Sequence, residues 1–183
     1  MDLSRTEQIH QQLWPAGQPV NSRRVFAVLD GARDEKIEPM VRKSKLPHDC
    51  LYYEPLTDKL RAAAPHIIEL APEAVFTKRL IEAAWGKSWG IFLITEPAKP
   101  LFAVKQNCRK LTMVESPDGQ RLLFRYYDPR VMRVYLATCT PEELQAVFGP
   151  VSRIMMEGET ATELLQFSNT NTGCNITTHQ FQG

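Results

Sequence analysis

Leu122-Leu123-Phe124-Arg125-Tyr126-Tyr127-Asp128-Pro129-Arg130-Val131-Met132-Arg133 reads as a strand that runs straight into a helix. The aliphatic and aromatic residues from Leu122 to Tyr127 favour pleated backbone. Asp128 followed by Pro129 signals a helix start, because a carboxylate caps free amides and proline suits the first helical position. Period-two alternation puts Leu122, Phe124 and Tyr126 on one face and Leu123, Arg125 and Tyr127 on the other, so both faces are expected to be at least partly covered. Arg125 then lies among apolar neighbours and requires a carboxylate or several carbonyls.

Working outward, Leu111 to Glu115 and Arg121 to Tyr127 flank Ser116-Pro117-Asp118-Gly119, where proline at the second position and glycine at the fourth favour a type I hairpin turn. After the motif, Val131, Val134 and Tyr135 share a helical face, and Pro141 to Phe148 forms a short helix closed by Gly149. Before it, Arg24 to Asp30 reads as a central strand, followed by a helix from Glu35 to Lys43 with Asp34 as its cap. Further strands are expected at Leu51 to Tyr53, His66 to Leu70 and Trp89 to Thr95, with a helical turn over Lys59 to Ala64. A helix opening at Pro72-Glu73 would bury Phe76, Leu80, Ala83 and Ala84, and one from Pro100 would bury Leu101, Val104, Cys108 and Leu111. Arg5 to Leu13 is a leading helix behind Ser4, and Val151 to Met156 and Glu163 to Phe167 are final strands. From Ser168 onward the residues are polar and offer few apolar anchors.

This alternation predicts an α/β or α+β domain, a mixed β-sheet flanked by helices with one clear β-hairpin. The expected division is an N-terminal helix and linker over 1–23, the main domain over 24–157, and a C-terminal strand and polar tail over 158–183. A hydrophobic share of 43% and a charged share of 23% are those of an average globular protein and exclude a disordered chain or a fibre. With 22 basic and 21 acidic residues, no global field draws the chain to nucleic acid or anionic lipid. No apolar run approaches the ~20 residues that span a bilayer, and Met1-Asp2-Leu3-Ser4-Arg5 does not open a secretory signal, so a cytoplasmic location is expected. Without that signal, the glycosylation pattern Asn175-Ile176-Thr177 reads as accidental.

No glycine-rich phosphate loop, paired-histidine zinc motif or serine elbow is present. Cys50, Cys108, Cys139 and Cys174 have no metal-binding spacing, and Cys108 and Cys139 read as small core residues. His48 and Cys50 are close in sequence, but spacing does not supply the orienting group and oxyanion site of a cysteine catalyst. Asp30, Asp34 and Asp128 all fall near strand-to-helix junctions, where a carboxylate cluster would serve an enzyme and capping or core pairing would serve the scaffold; scaffold is the expectation. Lys105, Arg109, Lys110, Arg121, Arg130 and Arg133 offer a basic face beside aromatics. No recognised nucleic-acid module frames them, so a solvated or protein-contacting face is expected.

Val25-Phe26-Ala27-Val28-Leu29-Asp30-Gly31-Ala32, Ala64-Pro65-His66 to Glu69-Leu70, Pro117-Asp118-Gly119 and Phe124-Arg125-Tyr126-Tyr127-Asp128-Pro129-Arg130-Val131 together resemble the type VI secretion effector chaperone and adaptor family, long catalogued as a domain of unknown function. The resemblance spans about Val25 to Val151, and Phe148-Gly149-Pro150 supports it. It implies a non-catalytic bacterial cytoplasmic protein without a cofactor or metal. Its partners would be a cognate secreted toxin or effector and the valine-glycine repeat spike protein, with no nucleic acid and no membrane span. Tyr127, Arg130 and Arg133 are the candidate partner contacts, because aromatics and arginines contribute disproportionately at interfaces. Asp30, Arg125, Asp128 and Pro129 form the candidate structural motif.

Overall fold

A computed structural model describes residues 3–116, 118–170 and 173–181. Helix α1 (Arg5–Leu13) starts at a reciprocal cap: the Ser4 hydroxyl accepts from the Glu7 N–H while the Glu7 carboxylate accepts from the Ser4 N–H. Strand β1 (Arg24–Asp30) follows, buried from Val25 to Asp30. The chain continues through α2 (Ile37–Lys43), β2 (His48–Cys50), α3 (Asp58–Ala63), β3 (Pro65–Leu70), α4 (Val75–Ala84) and β4 (Gly90–Thr95). Then come α5 (Leu101–Leu111), the hairpin β5 (Met113–Glu115) and β6 (Arg121–Leu123), α6 (Pro129–Thr138) and α7 (Pro141–Phe148). Strands β7 (Val151–Glu157), β8 (Glu163–Thr170) and β9 (Gly173–Gln180) close the fold.

Seven strands form one sheet in the order β2-β3-β1-β4-β7-β8-β9, and β5 and β6 pair separately. Every pairing among the described residues is antiparallel, so the α+β form of the expected fold is the one realised. Alternation along β1 divides the core in two. Phe26 and Val28 face a cluster with Val104, Tyr126, Met132 and Leu144, which come from α5, α6, α7 and the residues preceding α6. Val25, Ala27 and Leu29 face Ile9, Ile37 and Leu80 from α1, α2 and α4. Burying each such side chain contributes about 1.5–3 kcal/mol, which is why a central strand apolar on both faces fixes the two-layered helix cover. Gly90 opens β4 because a Cβ there would run into the Val28 carbonyl of the neighbouring strand.

Several elements differ from the sequence reading. The short strand before α3 lies at His48–Cys50, where Cys50 pairs opposite His66, and Leu51 to Tyr53 leave the sheet. Strand β6 stops at Leu123, so the alternation expected through Tyr127 ends early. The Asp128 N–H donates to the Arg125 carbonyl in a turn, and Tyr126 and Tyr127 are both buried there, each 1% exposed. Helix α4 begins at Val75 and buries Thr77, Leu80, Ile81 and Ala84, since the Ala71 to Ala74 turn uses up the residues after Pro72. Helix α6 buries Pro129, Met132 and Leu136, while Val134 is 67% exposed; apolar residues on adjacent stripes let either face the core. The polar residues beyond Ser168 are not a tail: those described complete β8 and form β9, an edge strand that needs only one covered face. The Ser116 to Gly119 turn closes with the Gly119 N–H on the Ser116 carbonyl; Pro117, its expected second position, lies outside the described residues.

Candidate functional site

The junction quoted at the outset is built around two carboxylates. Asp30, at the end of β1, has a side chain only 1% exposed and pairs with Arg125, whose side chain is 41% exposed. Asp30 also accepts from the Ala32 N–H at 3.2 Å. Asp128 caps α6 by accepting from the Arg130 N–H at 2.9 Å, and the Arg130 guanidinium reaches the same carboxylate at 2.6 Å. Burial works to raise the Asp128 pKa, but the Arg130 side chain and N–H outweigh it and hold the group below the usual carboxylate value. Pro129 occupies the first turn, where its missing N–H costs nothing.

The expected contact residues separate here. Tyr127 is corrected to a core residue: it packs edge-to-face on Tyr126 at 5.3 Å, and burial, with the Tyr52 side chain beside it, pushes its hydroxyl far up. A side chain 1% exposed presents nothing to a partner. Arg130 is exposed but engaged with Asp128. Arg133 donates to the Gly158 carbonyl at 2.6 Å and the Glu157 carbonyl at 3.3 Å, pinning α6 to the end of β7.

The exposed apolar surface collects elsewhere, in an open groove of about 770 Å³ between the loop after β2, the end of α5 and the β5–β6 hairpin. Its walls include Tyr53 at 68% exposure, Leu123 at 50%, Met113 at 47% and Leu60 at 45%. A two-stranded hairpin has too little area to bury both its faces, so Met113-Val114 and Leu122-Leu123 remain in water. Arg109 fixes one wall: it donates to the Cys50 and Tyr52 carbonyls at 2.9 and 3.3 Å, and its guanidinium lies 4.6 Å from the Tyr53 ring centroid. Lys105 adds an ion pair to Asp49 at 2.6 Å. Lys110 and Arg121 join Arg109 in giving the groove a basic border, against the single carboxylate of Glu115. The sequence signal was available in the paired apolar dipeptides flanking a hairpin turn.

The alternative chemistries meet different surroundings. Burial pushes the Cys50 thiol upward, which keeps it protonated and a poor nucleophile. His48 Nδ1 lies 2.8 Å from the Leu46 carbonyl, and His66 Nε2 lies 3.0 Å from the Arg61 carbonyl. Asp34 accepts from the Lys36 N–H at the start of the turn into α2 and is separate from the Asp30 pair. Among the described residues no group of three His, Cys, Asp or Glu side chains is placed to hold a metal. Within them no helix is long and apolar enough to cross a membrane. Of the six basic residues expected on one face, Lys105, Arg109, Arg130 and Arg133 are committed to internal partners.

Over residues 25–146 the sequence matches the family described as a domain of unknown function (DUF4123), and the chain belongs to that family. The match runs from β1 into α7 and so contains both the Asp30–Arg125 junction and the groove. No curated protein and no solved structure matches the chain.

Proposed function

We propose that this chain is a non-catalytic cytoplasmic adaptor that binds a type VI secretion effector, stabilises it and assists its loading onto the valine-glycine repeat spike protein. The observation that carries the reading is the apolar groove with a basic border beside the β5–β6 hairpin. Exposed Tyr53, Met113 and Leu123 provide an apolar floor, and aromatic anchors of this kind dominate protein recognition. Lys110 and Arg121 add orientation and encounter rate more than affinity. The loop is held by Arg109 before any partner arrives, so less ordering entropy opposes binding. An adaptor must also release its cargo, and an open groove suits modest affinity.

The test is co-expression with a candidate effector and a valine-glycine repeat spike protein, followed by pull-down and an effector-stability assay. Met113→Asp and Leu123→Asp alter side chains already about half exposed that face each other across β5 and β6, so the main sheet stays folded, and circular dichroism of each single variant and of the pair checks it. Each is expected to weaken effector capture at least tenfold, about 1.4 kcal/mol. Capture and protection of the effector equal to wild type in the double variant would remove the groove from the function. Failure of the wild-type chain to bind or stabilise its effector would remove the adaptor reading itself.

A further inference from the structure

The seven-stranded sheet has two ends, and they are built differently. At one end β2 is three residues long, follows Pro47, and carries Asp49 in an ion pair with Lys105. Short length, proline and charge are the devices that keep a sheet edge from pairing with another chain. At the other end β9 is eight residues long, Gly-Cys-Asn-Ile-Thr-Thr-His-Gln, with no proline and no Asp, Glu, Lys or Arg. Among the described residues no strand pairs with its outer edge. One edge of the sheet is guarded and the other is not.

The ladder with β8 says which backbone groups are open. The Phe181 N–H donates to the Thr162 carbonyl at 2.8 Å, which continues the register of Glu163 with Gln180 and Leu164 with His179. In an antiparallel ladder the inward and outward directions alternate. Gly173, Asn175, Thr177 and His179 therefore direct their N–H and C=O groups toward β8, whereas Cys174, Ile176, Thr178 and Gln180 direct theirs away. These outward groups are centred on Thr177. A second β9, laid antiparallel about a two-fold axis at Thr177, places Cys174 opposite Gln180 and Ile176 opposite Thr178, twice each. All outward donors and acceptors are then used, and each such pair exchanges two N–H···O bonds.

We propose that the chain forms a symmetric dimer through β9, joining two seven-stranded sheets edge to edge. The occupant is a second copy because the edge is self-complementary about its own centre and carries no charge that the two-fold would set against its like. On the α6 side the same edge is flanked by a shallow groove of about 440 Å³, in which Ile176, 46% exposed, and Val134, 67% exposed, lie beside Arg133, Glu159 and Glu163. The groove beside the β5–β6 hairpin lies on different elements and stays open in such a dimer.

The test measures mass by sedimentation equilibrium on the full chain. Wild type is expected to shift with concentration from the 20.9 kDa monomer to twice that mass, with the dimer dominant by about 100 μM. Ile176→Pro removes an N–H that β8 does not use and should leave a folded monomer; Ile176→Lys should do the same by charge repulsion. A Thr177→Cys variant in a Cys174→Ser background should crosslink between chains on oxidation, because Thr177 faces its own copy across the axis. A wild type that remains 20.9 kDa at that concentration overturns the proposal, as does a dimer that persists in folded Ile176→Pro. Loss of effector capture in Ile176→Pro from a monomeric wild type would reassign the edge to a foreign strand and equally overturn it.

Discussion

Arg125→Ala isolates what the junction contributes to stability. The substitution leaves the Asp30 carboxylate, 1% exposed, with the Ala32 N–H at 3.2 Å as its remaining hydrogen bond among the described residues. Removing one partner of a fully buried ion pair costs about 3–5 kcal/mol, because the other charge stays desolvated. Here the arginine side chain is 41% exposed and its buried Nε has no partner among the described residues, so the pair rests on Nη2 and water screens part of it. The expected loss is about 2 kcal/mol. For a chain of this size that lowers the melting temperature by about 4–8 °C.

Thermal melts by circular dichroism and urea titration at constant m value measure the loss. Two companions sharpen it. Arg125→Ala with Asp30→Asn removes the stranded charge and should recover about half of the loss. Arg130→Ala should cost under about 1 kcal/mol, because that side chain is 51% exposed and the Arg130 N–H still satisfies Asp128. An Arg125→Ala protein melting within about 1 °C of wild type would refute the reasoning. So would one that kept its stability and lost only effector capture, since Arg125 would then be a contact and not scaffold.

Two further outcomes follow from buried titratable groups. Burial pushes His66 below 6.5, partly offset by its bond to the Arg61 carbonyl, so the unfolded chain takes up the proton first. Stability is then complete above pH 6.5 and declines as pH falls through the lower folded-state value; His66→Gln should flatten that decline in melts between about pH 7.5 and 5, and an unchanged slope would count against it. Burial pushes the Cys108 thiol up to about 12, so a thiol reagent at about pH 8 should leave Cys108 unlabelled in the folded protein and reach it on unfolding. Peptide mass spectrometry showing Cys108 modified as fast as half-buried Cys174 would contradict this burial.

The parts of the fold legible in the sequence are those in which local chemistry and tertiary packing agree. Val25 to Leu29 is apolar on both faces and forms an interior strand paired on both sides, and Pro141 to Phe148, closed by Gly149, forms α7. The misread segments are those in which two arrangements satisfy the same local rules. Met132 and Val134 are equally apolar, and only the packing of α6 against the sheet decides that the first is buried and the second exposed. Strand β9 has almost no apolar pattern to announce it; it forms because β8 supplies its partners, a nonlocal contribution that composition does not carry. The groove was missed for the opposite reason. Its apolar dipeptides read as strand core, and their exposure follows from the hairpin having no larger sheet to join.

The junction and the groove are also mechanically connected, through successive residues of α5. The Tyr126 hydroxyl, buried beside the Arg125 turn, donates to the Cys108 carbonyl at 3.0 Å. The next residue, Arg109, holds the Cys50 and Tyr52 carbonyls and lies over Tyr53 in the groove wall. Loosening the Arg125 turn therefore acts on the helix that shapes the groove, although Arg125 is not part of the groove lining. A binding defect in Arg125→Ala measured near its melting temperature would arise from partial unfolding, whereas a defect in Leu123→Asp would persist far below it. The temperature dependence of capture, and not its loss alone, distinguishes a residue that supports the groove from one that meets the effector.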